Sequence, residues 1–363
     1  MGCSSTTASS EYYLFVGTYT DEASDGIYLY KFNAEDGSVD SLGVAGGVEN
    51  PSYLTLSSDY SNLYAVNERA DSSEASVSAF AFDSEAEKLT FINKQSSMGG
   101  APCYVSIDYS GQAVFVGNYL GGSVSMFPVR EDGSLGKASV TIQHEGSSVN
   151  KDRQQSPHVH CTYLSPDNKY LLVNDLGTDK VYGYAFDNQS LNLQKNPSFT
   201  YQAVAGAGPR HLTFHPSGTF AYLINELNGT IVTFKYQADS LQKSQTISTL
   251  PENYDGAISG ADIHVSPDGR FLYASNREDL NNIVTYAIDP KDGTLEKVGS
   301  YSSGGVHPRN FAIDPTGNYL LAANRNTDNI VIFERNKENG ALSATGNEIE
   351  VSQPVCLKLI PTD

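Results

Sequence analysis

Residues 208–236 read GPRHLTFHPSGTFAYLINELNGTIVTFKY, and the pattern in this stretch recurs along the chain. Two short strand-like runs, HLTF and FAYLIN, flank a Pro-Ser-Gly turn. A third run, TIVTFKY, follows after a small loop that contains an Asn-Gly pair. The stretch therefore predicts three consecutive antiparallel strands.

The same pattern returns in five other places. The aligned segments are PSYLTLSSDYSNLYAVNE (51–68), PCYVSIDYSGQAVFVGNY (102–119), PHVHCTYLSPDNKYLLVND (157–175), SGADIHVSPDGRFLYASNR (259–277) and PRNFAIDPTGNYLLAANR (308–325). The second run of every unit ends in an asparagine, and these asparagines recur at intervals of 48 to 56 residues. A period near 50 residues made of short strands is typical of a β-propeller.

The two chain ends account for a seventh unit. Residues 12–45 supply a second, third and fourth strand without a first, and residues 353–360 supply a first strand with nothing after it. Pairing the two ends would close the ring and remove free sheet edges. We therefore predict one all-β domain over 12–363, a seven-bladed β-propeller with four antiparallel strands per blade. A C-terminal inner strand would complete the N-terminal blade, and 1–11 would form a disordered tail.

Composition narrows the range of partners. The chain has 42 acidic and 23 basic residues, a net charge of -19, which argues against nucleic acid as a partner. No apolar run approaches the length of a membrane span, and the four cysteines lack metal-type spacing. We expect a cytoplasmic monomer that acts on a small molecule. The alternative is an extracytoplasmic lipoprotein anchored through Cys3.

Two columns of residues are predicted to share one mouth of the central channel. In each blade the residue before the first strand and the residue after the second strand lie on the same face. The asparagines themselves are expected to cap tight turns. The first column is Ser52, Cys103, His160, Arg210, Ala261 and Arg309, and the second is Glu68, Tyr119, Asp175, Glu226, Arg277 and Arg325. If these positions had only a structural role, the same residue type would recur in every blade. The mixture of residue types therefore predicts that individual residues have different functions. The polar insert 143–156 is expected to form a loop over one mouth.

Several ionisable side chains are expected to converge at that mouth. His158 and His160 lie two apart on a predicted strand and should point to the same side. Arg210 and His211 belong to the next unit, with Glu226 opposite them, while His264, Arg277 and Arg309 complete the rim. A tuned Glu or His can activate water, and an arginine can hold an anionic group or a developing oxyanion. This combination suits lactone chemistry. No nucleophile elbow, zinc-protease or phosphate-loop motif is present.

At these residues the chain resembles the seven-bladed lactonase family, which includes propeller-type 6-phosphogluconolactonases and carboxymuconate cyclases. The motifs that carry the resemblance are FVGTYT, SPHVHCTYLSPDNKYLLVNDLGTDKVYGY, GPRHLTFHPSGTFAYLINE, SPDGRFLYASNR and HPRNFAIDPTGNYLLAANRN, and the likeness covers 12–361. It implies a site built from His158 or His160 with Arg210, Glu226 and Arg277, and it implies no metal and no cofactor.

The sequence thus predicts hydrolysis of a sugar-acid lactone, most specifically 6-phosphogluconolactone. Glu226 or His160 would position and deprotonate water, while Arg210 and Arg277 would hold the anionic group and the carbonyl oxygen. The predicted catalytic residues are Glu226, His160 and Arg210. The predicted substrate-binding residues are His158, Arg277, Arg309, His211, Asp175 and His264. The alternatives are a muconate-type lactonising cyclase, a calcium-dependent lactonase and a non-catalytic propeller that binds a ligand or protein.

Overall fold

The computed structural model describes residues 10–237 and 240–362, and it confirms the seven-bladed β-propeller. The first strand begins at Glu11, inside the predicted tail. The rest of that tail, including Cys3 and the proposed lipid anchor, lies outside the described residues. Both helical segments are single 3-10 turns, Pro197–Phe199 and Arg325–Thr327, so the described chain contains no helix that could cross a membrane.

Each blade is an antiparallel sheet whose four main strands run from the channel outward, and we number the blades from the N-terminus. Blade 1 combines β1 (Glu11–Thr18), β2 (Gly26–Asn33) and β3 (Val39–Gly46) with β29 (Pro354–Pro361); blade 2 has β4 (Leu54–Leu56), β5 (Asn62–Asn67), β6 (Ser76–Asp83) and β7 (Lys88–Ser96); blade 3 has β8 (Pro102–Ile107), β9 (Ala113–Asn118), β10 (Ser123–Pro128) and β11 (Val140–Gln143); blade 4 has β12 (Val159–Leu164), β13 (Tyr170–Asp175), β14 (Lys180–Asp187) and β15 (Asn192–Lys195), with β16 (Tyr201–Gln202) also paired to β14. Blade 5 has β17 (Pro209–Phe214), β18 (Phe220–Asn225), β19 (Thr230–Gln237) and β20 (Ser240–Ser248); blade 6 has β21 (Gly260–Val265), β22 (Phe271–Asn276), β23 (Asn282–Ile288) and β24 (Leu295–Ser302); blade 7 has β25 (Pro308–Ile313), β26 (Tyr319–Asn324), β27 (Asn329–Arg335) and β28 (Leu342–Glu350).

The ring closes as predicted through the two chain ends. Strand β29 pairs antiparallel with β1, from Tyr12 opposite Pro361 to Thr18 opposite Pro354, and occupies the innermost position of blade 1. The last strand of the chain therefore completes the sheet that the first strand begins, and the two edges that an open array would expose are paired.

The core lies between neighbouring blades, because both faces of each sheet are covered. Tyr13 and Phe15 of blade 1, for example, make edge-to-face contacts with Phe82 of blade 2, with ring centroids 5.0 Å apart in both pairs. The second strands are almost wholly buried, whereas a fourth strand such as β3 has exposed positions along its length. This gradient explains why an outer strand such as β3 contains polar residues.

The recurring asparagines have a second role besides the predicted one. Their side chains are buried, and Nδ2 of Asn225 donates across its own turn to the Thr230 hydroxyl (2.9 Å). In addition, Nδ2 of Asn118 donates to the carbonyl of Ser97 (3.0 Å), and Nδ2 of Asn324 donates to the carbonyl of Ser303 (3.0 Å). Both acceptors lie in the connection that enters the blade from the preceding blade. The amide thus ties this connection to the end of the second strand, and a buried carbonyl gains its hydrogen bond.

A bulge at the start of the inner strands decides which side chains enter the channel. In β12 the register jumps from Val159 to Cys161, so the residue between them is left out of the ladder. The same jump occurs in β8, β17 and β25. A bulge re-aims the side chain of its extra residue. The residues re-aimed in this way are Cys103, His160, Arg210 and Arg309, all members of the first predicted column.

Candidate active site

A small cavity of about 170 Å³ lies at the mouth where the inner strands begin and the second strands end. Its wall comes from six of the seven blades and one loop: Glu68, Cys103, Tyr119, Arg153, His160, Glu226, Arg277 and Arg309. Two wider clefts of about 760 and 670 Å³ lie between neighbouring blades, but neither has more than one arginine on its wall. The convergence of charged groups therefore selects the small cavity as the candidate site.

Glu226 is the charge centre of this cavity. Its side chain is buried, and Oε2 accepts from Arg210 Nε (3.0 Å) and pairs with Arg277 Nη2 (3.1 Å). The other oxygen, Oε1, accepts from Arg153 Nη2 (2.5 Å). Burial opposes ionisation of this carboxyl group, but the attraction of Arg277, Arg210 and Arg153 outweighs it and lowers the pKa to about 2. Glu226 is therefore a carboxylate at neutral pH and a weak base.

His160 is poised beside this carboxylate as a neutral imidazole. Its Nε2 lies 4.0 Å from Glu226 Oε2, and its Nδ1 lies 3.8 Å from the Cys103 sulfur. Burial and the nearby positive charges of Arg210 and Arg309 hold the pKa of His160 well below its usual value. A neutral imidazole can accept a proton, and the carboxylate at 4.0 Å would stabilise the imidazolium that results. The Cys103 thiol has a pKa raised by burial, which argues against a thiolate nucleophile.

Two arginines have donors that the protein leaves without a short hydrogen bond. Arg277 is 6% exposed, and its Nε has no hydrogen-bond partner within the described part of the chain. Arg309 Nη2 lies 3.9 Å from Glu68 Oε2, a distance too long for a hydrogen bond. Both guanidinium groups belong to residues that line the cavity, so they are available to an anionic ligand.

A second carboxylate, Glu68, occupies the opposite wall of the cavity. Its Oε2 accepts hydrogen bonds from the Tyr19 hydroxyl (2.9 Å) and from the Ser52 hydroxyl. The ring of Tyr19 in turn lies under the guanidinium of Arg325, 4.6 Å from the ring centroid. Arg325, a member of the second predicted column, thus supports Glu68 through Tyr19 and is not part of the cavity wall.

A buried layer beneath the cavity holds Arg210 in place. Arg210 is 1% exposed and also donates through Nη1 to the Ala261 carbonyl (2.5 Å). The same Nη1 lies 3.2 Å from His211 Nε2, which identifies His211 as the acceptor; its Nδ1 then donates to Asp262 Oδ1 (2.7 Å). Asp262 Oδ2 accepts from His264 Nε2 (2.8 Å). This chain of contacts fixes the guanidinium that binds Glu226.

The predicted residues thus lie in four different places. Glu226, His160, Arg277 and Arg309 line the cavity, and Arg210 contacts Glu226 from behind. His211 and His264 lie in the layer below, on either side of Asp262, so their predicted place at the rim is wrong.

His158 and Asp175 are also absent from the cavity wall. His158 precedes β12 and stacks on the Tyr119 ring (4.5 Å between centroids). Its Nδ1 donates a hydrogen bond to the Tyr119 carbonyl (2.9 Å). The expectation that it points the same way as His160 fails because of the bulge at His160. Asp175 is fully buried. Its carboxylate accepts hydrogen bonds from His144 Nδ1 (2.8 Å) and from the backbone N–H groups of His158 and Thr178. Its hydrogen bonds hold the entry to β12.

Comparisons with known proteins identify the family of this chain. The model of the lactonase family described as a seven-bladed β-propeller matches residues 13–359. The chain belongs to this family. The predicted family membership is therefore confirmed over nearly the whole of the chain.

Three similar proteins illustrate the range of the propeller lactonase family. A 6-phosphogluconolactonase of Bacillus subtilis is 36% identical over 97% of this chain and 99% of its own. The structure of a Bacteroides fragilis protein that carries 6-phosphogluconolactonase as a provisional name is 43% identical, with a TM-score of 0.93 over 99% and 100% of the two chains. A periplasmic gluconolactonase of Pseudomonas aeruginosa is 38% identical, with a TM-score of 0.93 over 98% and 100%.

Arg153 is the cavity residue of this propeller lactonase that the sequence prediction missed. It lies in the insert 143–156, which was expected to cover one mouth, but nothing in the sequence distinguishes Arg153 from Lys151 nearby. Glu68, Cys103 and Tyr119 belonged to the predicted columns but received no role.

Within the described residues, no group of three His, Cys, Asp or Glu side chains is spaced to share a metal ion. Metal independence stays a prediction.

Proposed function

We propose that this propeller hydrolyses an anionic sugar-acid lactone, and specifically 6-phosphogluconolactone to 6-phosphogluconate. The observation that carries the proposal is the charge of the cavity. Four arginines, Arg153, Arg210, Arg277 and Arg309, meet two carboxylates, which leaves an excess of two positive charges. The whole chain carries a net charge of -19. A local positive site in an acidic protein suits a substrate with about two negative charges, such as a phosphate ester at neutral pH.

The proposed reaction is attack of water on the lactone carbonyl. The water oxygen forms a bond to the carbonyl carbon while one water proton passes to His160 Nε2. The tetrahedral intermediate then collapses, the bond between that carbon and the ring oxygen breaks, and the ring oxygen takes up a proton from the imidazolium. The product is a hydroxy acid, which releases one proton to solvent when it ionises. Water is the only co-reactant.

The cavity side chains divide this work. The guanidinium of Arg277, which lines the cavity, donates to the carbonyl oxygen, where negative charge develops in the transition state. Arg309 binds the anionic group, since its guanidinium makes no short hydrogen bond to any residue that the structure describes. Glu226 holds three guanidinium groups in position and stabilises the His160 imidazolium through the 4.0 Å contact. Arg210 acts through Glu226 and is a positioning residue.

The first test is hydrolysis of freshly prepared 6-phosphogluconolactone, followed by acid release against the spontaneous rate. We expect a strong acceleration that is unchanged by EDTA. A parallel assay with carboxymuconolactone tests the cyclase alternative, which would use the same proton transfer and anion clamp. Wild-type protein that accelerates neither reaction would contradict the proposal and favour a binding role for the propeller.

The pH dependence of kcat tests the role of His160. A base must be neutral to accept a proton, and the pKa of His160 lies well below its usual value of 6.5. Activity should therefore stay constant as the pH falls from 8 past 6.5, and it should decline only at lower pH. The second pKa of the substrate phosphate, about 6, makes kcat at saturation the appropriate quantity. An acid limb centred at or above 6.5 would contradict neutral His160 as the base.

Location and assembly belong to the same proposal. A phosphorylated sugar acid is highly charged and does not cross a membrane unaided. We therefore place this enzyme in the cytoplasm, and we expect it to be a monomer. The periplasmic relative in Pseudomonas is named for the unphosphorylated lactone. Mass spectrometry of the native N-terminus would detect a lipid on Cys3, and such a lipid would overturn the cytoplasmic assignment. Light scattering after gel filtration would test the monomer.

A further inference from the structure

Arg153 reaches the cavity from the longest connection between two blades. Residues 144–158 join β11 to β12, and the next longest such connection is 249–259. Arg153 Nη2 crosses the mouth to Glu226 in blade 5, and it also donates to the Tyr119 hydroxyl of blade 3 (3.2 Å). This arginine therefore bridges parts of the ring that the inner strands keep apart.

The backbone that carries Arg153 is firmly attached to blade 4. The next residue, Gln154, is fully buried and donates through Nε2 to the Leu176 carbonyl and to Asp179 Oδ1, both at 2.8 Å. Ser148 adds a hydrogen bond to Asp179 Oδ2 (2.5 Å). At the end of the loop a Cβ on Gly177 would lie 1.9 Å from the Ser156 carbonyl oxygen, so the loop packs directly against glycine. The backbone is thus anchored independently of the Arg153 side chain.

The side chain itself is less confined than the other arginines of the site. It is 43% exposed, whereas the side chains of Arg210, Arg277 and Arg309 are 1%, 6% and 15% exposed. Arg153 can change rotamer without disturbing the hydrogen bonds that anchor its own loop. It is also dispensable for holding Glu226, because Oε2 already binds two guanidinium groups. Arg153 is consequently the cation that a ligand can most easily redirect.

We propose that Arg153 determines specificity for the phosphorylated lactone, by leaving Glu226 Oε1 for the phosphate group of the bound substrate. This inference rests on the proposed function and adds a residue and a mechanism to it. Once Arg153 has moved, the Glu226 carboxylate, whose Oε2 lies 4.0 Å from His160 Nε2, has one cation fewer beside it and stabilises the imidazolium more strongly. Phosphate binding would then raise turnover as well as affinity. With a neutral sugar lactone, Arg153 stays on Glu226, and neither turnover nor affinity is raised in this way.

The experiment compares two substrates in four proteins. 6-Phosphogluconolactone and glucono-1,5-lactone are assayed with the wild type, Arg153→Ala, Arg153→Lys and the control Lys151→Ala, which removes an exposed charge from the same loop. We expect Arg153→Ala to lower kcat/KM for the phosphorylated lactone by roughly 10- to 100-fold, the value of a charge-assisted hydrogen bond. Because the variant removes the cation beside Glu226 Oε1 permanently, its kcat for the neutral lactone should rise. Arg153→Lys should be intermediate, and Lys151→Ala should behave as the wild type.

A second measurement separates specificity from a structural role. Phosphite dianion added with glucono-1,5-lactone supplies the anion without the covalent link, and we expect it to raise turnover by the wild type and not by Arg153→Ala, after the uncatalysed rate is subtracted. Equal losses on both substrates, no loss on either, or activation by phosphite in Arg153→Ala would each overturn the proposal. Wild-type protein that hydrolyses neither lactone would remove the proposed function, and this inference with it.

Discussion

Glu226→Gln is expected to lower kcat/KM for 6-phosphogluconolactone by about 10³-fold. The substitution keeps the shape of the side chain but removes the charge that holds Arg153, Arg210 and Arg277 within 2.5 to 3.1 Å of one carboxylate. Without it the three guanidinium groups repel one another and the donors aimed at the carbonyl oxygen lose their positions. The His160 imidazolium also loses the anion that lies 4.0 Å away. Most of the loss should appear in kcat, because these contacts serve the transition state.

The matched control for this variant is Glu296→Gln, which makes the same chemical change at an exposed position of the outer strand β24. Steady-state kinetics and a thermal melt of both variants are needed. The control should match the wild type in both. Glu226→Gln protein that is folded and retains wild-type turnover would show that the cavity carboxylate has no part in the reaction.

Arg210→Met should lower both stability and activity. Removing one partner of a buried ion pair typically costs about 3–5 kcal/mol in the free energy of unfolding, and Arg210 is 1% exposed. The variant also leaves the Ala261 carbonyl and His211 Nε2 without their donor. We expect kcat/KM to fall by about 10²-fold, since Glu226 loses the guanidinium that orients it while Arg277 and Arg153 still neutralise its charge.

A second buried arginine distinguishes the two effects. Arg335 is also buried and pairs with Asp268 (2.9 Å), but it lies at the end of β27, on the face opposite the cavity. Arg335→Met should lower the midpoint of urea denaturation without changing kcat/KM, when activity is measured well below the melting temperature. If Arg210→Met changed stability alone, as Arg335→Met is expected to do, Arg210 would be a structural residue only.

Much of the candidate site was predictable from the repeat. Aligning the units on the hairpin placed two residues of each unit at one mouth, and seven members of these two columns line the cavity: Glu68, Cys103, Tyr119, His160, Glu226, Arg277 and Arg309. The prediction worked because strands of equal length between equal turns put equivalent residues at equivalent heights. It was incomplete where it assumed a regular strand, since alternation of side chains fails at a bulge. His158 was misplaced for that reason.

The misplaced residues were those whose partners are distant in sequence. Asp175 occupies a cavity position in its column, but His144 from the preceding loop forms a buried hydrogen bond with it, and it no longer faces the channel. His211 adjoins Arg210 in sequence, yet a hydrogen bond to Asp262 in the next blade holds it below the cavity. Neither contact can be predicted from the spacing of residues within one repeat unit.

By itself the sequence determined the number of blades, the closure of the ring and the mouth at which the charged residues gather. These depend on local patterns of turns and strands that repeat every 48 to 56 residues. Only the tertiary structure decided that three guanidinium groups share Glu226 and that Arg153 is one of them. These pairings form across the channel between residues up to 73 positions apart. Such long-range pairings depend on how the ring closes and on the path of one inserted loop, which local spacing cannot specify.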